Sequence, residues 1–99
     1  MVDFDRIAGF EWDAGNARKN DKHGVSSSEA EQVFFDARLL VAPDSRHSQV
    51  EPRLHALGST IEGRLLHVTF TVRAEGTRIR VISARDAHRK ERHGYESET

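Results

Sequence analysis

The clearest alternation of apolar and polar positions lies in residues 64–85. Leu66, Val68, Phe70 and Val72 alternate with His67, Thr69, Thr71 and Arg73, the period of a half-buried strand. Ala74-Glu75-Gly76-Thr77 supplies a turn, and residues 78–84 return as a second strand rich in Ile and Val. The pattern predicts a β-hairpin. With Glu75-Gly76 as a two-residue loop, Val72 opposes Ile79, Phe70 opposes Val81 and Val68 opposes Ser83 on a core face. The other face then pairs Arg73 with Arg78, Thr71 with Arg80, Thr69 with Ile82 and His67 with Ala84. Arginines directly opposite each other repel, so Arg73 and Arg78 require an anion or an acidic neighbour.

Weaker patterns fill in the rest. Phe10 and Trp12 flank Glu11, which predicts a short strand at 7–12. Asp13 is a plausible N-cap and Gly24 a stop, which predicts a short polar helix between them. Ser26-Ser27-Ser28-Glu29 fits a capping box, and Ala30, Val33 and Phe34 follow on one helical face. Residues 39–41 read as a strand closed by Pro43-Asp44, 44–52 as a loop, 53–58 as a strand and 59–63 as a turn. Asp86 can cap a last helix over 87–96. The order is strand, two helices, several antiparallel strands, helix. That is an α+β fold with helices packed on one antiparallel β-sheet.

Composition narrows the class. Ninety-nine residues suit one domain, spanning 1–99. Zero cysteines exclude disulfides, thiolate metal sites and a cysteine nucleophile. No apolar run reaches the length of a membrane span, and the acidic start Met1-Val2-Asp3 lacks a signal-peptide core. The expected location is therefore cytoplasmic, with no membrane partner. The net charge of −1 hides an asymmetry. Residues 1–36 hold eight acids and four bases, whereas 73–93 hold seven bases and three acids. Twelve of the fifteen bases are arginine, whose planar fork matches phosphate oxygens. A basic C-terminal third on a neutral chain points to one face for a polyanion, against the plainer reading of a solvated surface.

The residues then limit the chemistry. His23, His47, His55, His67, His88 and His93 show no metal-ligand spacing. There is no Walker loop, no dinucleotide fingerprint and no nucleophile elbow, so no cofactor is expected. Acid–base and electrostatic chemistry on a phosphate remains. RNA can be cut this way because its own 2′-hydroxyl attacks the adjacent phosphorus. Arginines would neutralise the phosphorane, and His23, His67, Glu51 and Tyr95 are candidates to move protons. Tyr95 could equally be a packing residue, and His67 a solvated one. Arg85 ends a strand just before a helix N-terminus, a natural phosphate site. It could instead pair with Asp86 or Glu91 and hold the helix down.

Several strings, taken together, resemble a known family. They are Phe10-Glu11-Trp12-Asp13, Lys22-His23-Gly24-Val25, Glu29-Ala30 and Val33-Phe34-Phe35-Asp36. Asp44-Ser45-Arg46-His47-Ser48, Gly63-Arg64-Leu65-Leu66 and Val68-Thr69-Phe70-Thr71-Val72-Arg73 follow in order. Ile79-Arg80-Val81-Ile82-Ser83-Ala84-Arg85 is the strongest, with Ala87, Arg89, Glu91-Arg92 and Tyr95 after it. Over roughly residues 9–96 the chain resembles the BrnT toxins of bacterial type II toxin–antitoxin modules. Ser27-Ser28 and Pro52 depart from the family's usual residues, and the latter weakens any role for Glu51.

The resemblance implies a compact RelE-like fold and a ribonuclease that stops translation by cutting RNA. It implies a BrnA-like ribbon-helix-helix antitoxin as partner, whose complex binds operator DNA through the antitoxin. Carried over residue by residue, it implies catalytic roles for Arg73, Arg85, His23 and Tyr95. It also carries over Arg89 and Arg92 of the last helix, which join Arg64 and the hairpin-face arginines Arg78 and Arg80 as the expected RNA-binding residues. The competing class is a non-catalytic module of the same fold that binds RNA or antitoxin. A self-standing DNA-binding regulator is disfavoured, because the chain has neither a helix-turn-helix nor a ribbon-helix-helix pattern.

Overall fold

The alternation in the C-terminal half builds the centre of the structure. The computed structural model describes residues 3–12, 23–44 and 52–98. Among these, β1 (Gly9–Glu11), β2 (Leu40–Asp44), β3 (Arg53–Ser59), β4 (Leu65–Arg73) and β5 (Arg78–Asp86) form one sheet in the spatial order β1-β5-β4-β3-β2. Two helices, α1 (Ser27–Val33) and α2 (Arg89–Ser97), and a 3-10 turn at Phe4–Arg6 complete the described elements. The architecture is α+β. The helix expected between Asp13 and Gly24, and most of the loop expected at 44–52, lie outside the described residues. No described helix is long and apolar enough to cross a membrane.

The sheet is mixed, which corrects the expectation of a purely antiparallel one. β2 to β5 are antiparallel, but β1 runs parallel to β5, with Phe10 beside Ile79 and Glu11 beside Arg80. Parallel neighbours need a long crossover, and the chain between β1 and β5 provides it. The register sends Phe10 to the inner face and Glu11 to the outer one. β2 extends to Asp44 and contains Pro43, tolerated because β2 is an edge strand.

The inner face carries the core. Leu66, Val68, Phe70, Ile79, Val81 and Ala84 are buried against Val25, Ala30 and Val33. Phe34 meets Phe70 edge-on, with ring centroids 4.9 Å apart. The capping box forms as expected: Ser26 Oγ accepts the Glu29 N–H, and the Glu29 carboxylate accepts the Ser26 N–H. α1 lies very close to β3 at Gly58, where a Cβ would stand 2.9 Å from both Val33 Cγ1 and the Val33 carbonyl. Only glycine admits that approach. Phe35 does not join the helical face and is 80% exposed.

The hairpin departs from its expected register in one place. The core-side pairs Val72–Ile79 and Phe70–Val81 form, as does Arg73 opposite Arg78. Ala74 to Thr77 make the turn, with Ala74, Glu75 and Gly76 all at positive φ. A β-bulge between Thr69 and Phe70 then shifts the pairing by one, so Thr69 faces Ser83, Val68 faces Ala84 and His67 faces Arg85. The expected Val68–Ser83, Thr69–Ile82 and His67–Ala84 pairs are therefore corrected. An extra residue on one strand reverses its alternation beyond that point. Ala84 enters the core, and Arg85 turns to the outer face beside His67.

Candidate active site

The bulge creates the site. Without it, Arg85 would share the core face with Ile79 and Val81. With it, one outer strip carries Arg73, Arg78 and Arg80 near the hairpin turn, and His67 and Arg85 near the start of α2. The next strand adds His55, which the register sets beside Thr69.

Around Arg85 the groups are tightly connected. Its Nη1 and Nη2 donate to Glu91 Oε1 and Oε2 at 2.9 and 3.0 Å, and Nη1 also donates to the Asp86 carbonyl at 3.1 Å. Glu91 Oε1 additionally accepts the His88 N–H at 2.8 Å, closing the first turn of α2. The helix starts at Arg89 with His88 as N-cap, so the expected cap at Asp86 is corrected. Asp86 ends β5 and is taken by Arg64 instead, at 2.7 and 3.1 Å. The Arg85 hydrogen bond outweighs burial and holds the Glu91 carboxyl down at about 2.

Two imidazoles lie against this cluster. His67 Nε2 is 3.7 Å from Glu91 Oε2, too long for a hydrogen bond. Burial, and then the Arg85 charge, push the His67 pKa down to about 4, against the pull of Glu91. His67 is thus neutral at pH 7, and its approach to Glu91 is not an ion pair. The His55 ring stacks at 4.8 Å from that of His67. His55 is fixed at both nitrogens, by Asp44 Oδ2 at 3.1 Å and Thr69 Oγ1 at 3.1 Å. An uncharged imidazole beside a guanidinium, its Nε2 without a hydrogen-bond partner among the described residues, can accept a proton near a phosphate.

The other expected residues scatter around this centre. Arg64 donates to Asp86, Glu29 and the Gly24 carbonyl, tying β4 to β5, α1 and the turn that carries His23. His23 is exposed in that turn. Arg89 and Arg92 are exposed on α2, and Arg73 and Arg78 near the hairpin turn. Arg73 and Arg80 line an open cavity of about 230 Å³ with Glu11 and Trp12. Tyr95 is buried, and its hydroxyl donates to Asp36 Oδ2 at 2.5 Å, not to the His67–Arg85 cluster. Burial, and then the Asp36 carboxylate, push the Tyr95 pKa up. Asp36 also accepts the N–H groups of Ser59 and Arg38, so Tyr95 anchors α2 to the segment after α1.

Sequence reading did not single out His55, Asp44 or Glu11 as site residues. Position 55 alternates with the apolar Leu54 and Ala56, which marks it as outward-facing. Only the β3–β4 register reveals that it meets His67.

A family model described as the ribonuclease toxin BrnT of the type II toxin–antitoxin system matches residues 12–91. No protein of curated function matches the chain. The matched span includes the whole β3–β5 surface and ends at Glu91, the carboxylate that clamps Arg85, leaving Arg92 and Tyr95 just beyond it. On a match of that extent, the chain belongs to the BrnT family of ribonuclease toxins of type II toxin–antitoxin systems.

Proposed function

We propose that this chain is a metal-independent endoribonuclease that inhibits translation, and that its site is the outer face of β4 and β5 where it meets α2. The observation that carries the reading is the state of Arg85. Of the five N–H donors of a guanidinium, Glu91 and the Asp86 carbonyl take three, at Nη1 twice and Nη2 once. Among the described residues nothing takes Nε–H or the second Nη2 hydrogen, which are placed for a phosphate oxygen beside the neutral His67. In this reading His67 takes the proton of the RNA 2′-hydroxyl, and the 2′-oxygen attacks phosphorus. The bond to the 5′-oxygen breaks, and water protonates that oxygen. Arg85 stabilises the charge gathered on the phosphorane, and Arg73, Arg78 and Arg80 hold the chain along the strip. Arg89 and Arg92 extend the same positive surface. Tyr95 and His23 fit supporting roles better than proton transfer, since one is bound to Asp36 and the other lies in an exposed turn.

A type II toxin requires an antitoxin, and a BrnA-like ribbon-helix-helix protein is the partner we expect, with operator DNA bound through it. An apolar or acidic helix laid on the hairpin face would silence the toxin by covering the basic strip. A RelE-like arrangement and a cytoplasmic location complete the reading.

The test is induced expression with and without the antitoxin, scoring growth and mapping RNA ends, followed by cleavage with purified protein in EDTA. Products ending in a 2′,3′-cyclic phosphate or its hydrolysis product, formed in EDTA, support the reading. Cleavage abolished by EDTA and restored by a divalent ion overturns metal independence. The closed Arg85–Glu91–His88 cluster also suits a second reading, in which the chain binds antitoxin or RNA without cutting. Retained RNA binding with no new RNA ends would establish that one.

A further inference from the structure

The cavity at the other end of the outer strip has a composition that phosphate binding alone does not explain. Arg73 and Arg80 line it, but so do Glu11 and Trp12. A carboxylate at a phosphate site repels the ligand, so Glu11 calls for a different role. Its Oε2 is buried and has no hydrogen-bond partner among the described residues. Buried acceptors left unpaired are costly and rare. Trp12 is held rigidly beside it, because its indole N–H donates to Glu31 Oε2 on α1 at 2.7 Å. The cavity therefore joins an aromatic wall, an acceptor awaiting donors and two guanidinium groups.

We propose that this cavity is a base-recognition subsite for single-stranded RNA, specific for a base that presents adjacent N–H donors, as guanine does at N1 and N2. The proposal rests on the ribonuclease reading and names how that site would select where to cut. An ionised carboxylate only accepts hydrogen bonds, so it suits the paired donors of guanine and cannot satisfy the N3 acceptor of cytosine. The indole face supplies stacking, as aromatic side chains do in single-strand binding. Arg73 and Arg80 meet the flanking phosphates. Arg80 and Arg85 lie five residues apart on β5, or roughly 16 Å of strand, so the selected base sits a few nucleotides from the scissile bond.

Trp12 is the chain's only tryptophan, which makes its fluorescence a direct probe of the cavity. The experiment titrates purified protein with GMP, AMP, CMP and UMP, corrected for absorption, and repeats it with Glu11→Gln. Saturable quenching by GMP, roughly tenfold to a hundredfold tighter than by the other three and lost in Glu11→Gln, is the expected result. Glu11→Gln should also erase a guanine preference in mapped cleavage sites. Equal quenching by all four nucleotides, or GMP quenching untouched by Glu11→Gln, overturns the subsite. Far-UV circular dichroism and thermal melting of the variant confirm that it is folded. Because nucleotide binding is read without cleavage, a protein that binds GMP but cuts no RNA refutes the ribonuclease reading and not the subsite.

Discussion

The two ends of the outer strip are built on opposite principles. Near α2, Glu91 holds Arg85, and Asp44 and Thr69 hold His55, through short, directional contacts, with the neutral His67 ring packed between them. Near the hairpin turn, Arg73 and Arg78 are exposed and face each other directly across the ladder. The first end is preorganised, with one carboxylate, Glu91, fixing the angle of the guanidinium and burial fixing the charge state of an imidazole. The second is a track of positive charge with one orphaned acceptor beside it. Chemistry requires the first arrangement, since catalysis depends on dipoles already in place, and binding of an extended polyanion requires only the second. The comparison divides the arginines by their surroundings, where the sequence offers only their number.

Replacing Arg85 with Ala should produce the largest effect on activity. Removing a donor from the phosphorane costs about 10²–10³ in rate. Arg85→Ala also strands the Glu91 carboxylate, so some melting temperature is lost as well. Arg85→Lys separates the two contributions. A lysine restores the charge near Glu91 but not the bidentate fork, so it should recover stability and little activity. Full toxicity in a folded Arg85→Ala would show that this end only anchors α2.

Arg64 provides the counterpart, a stability effect with little chemistry. Its guanidinium is held by Asp86 and Glu29, and those contacts raise its pKa further. Arg64→Ala should lower stability by roughly 1–2 kcal/mol, because two carboxylates and the Gly24 carbonyl lose their donor together. The cleavage rate of the folded fraction should change less than severalfold. Thermal melting alongside single-turnover cleavage measures both. A rate loss comparable to that of Arg85→Ala would return Arg64 to the RNA-binding set.

The His67 environment predicts a pH signature. Its pKa falls from 6.5 to about 4 on folding, so between those values the unfolded chain binds a proton that the native state does not. Stability from this group is full above pH 6.5 and is lost as pH falls through about 4. The loss should be on the order of 1–3 kcal/mol. Glu91 adds a second loss at lower pH, between its ordinary 4.5 and about 2. In His67→Gln the melting temperature should vary less between pH 7 and pH 4.5 than in the parent. An unchanged profile would mean that His67 is solvated and freely charged.

Much of the fold was legible because it follows from side-chain period. The hairpin, the Ser26 capping box and the strand at 53–58 come from alternation, capping chemistry and turn residues, all local features. The parallel docking of β1 was not legible, since three residues carry no record of strand direction. The site was less legible for a specific reason. Its assembly depends on one bulge opposite Thr69 and Phe70 and on the β3–β4 register, neither of which leaves a local signature. Arg85 was found from its position before a helix, and Glu91 as one of its two possible partners. His55 and Asp44 were missed because their partners are distant in sequence.

The smallest predicted effect belongs to Arg78, and it sharpens the comparison most directly. Arg78 lies on the same strand and face as Arg85, with the same side chain, but its surroundings differ. It is exposed beside the turn and faces Arg73, so removing it relieves a like-charge contact while taking one positive charge from the track. Stability should stay within about half a kcal/mol of the parent or rise slightly. RNA affinity should weaken severalfold at low salt, and the slope of log affinity against log salt should fall by about one, as for one phosphate contact. At saturating RNA the cleavage rate should match that of the parent, because Arg78 touches no group at the reacting end. The measurement is RNA binding by Arg78→Ala across a salt series, paired with single-turnover cleavage at high RNA concentration. A hundredfold loss of rate at saturation would erase the distinction between the two ends, and the hairpin turn would then belong to the catalytic centre.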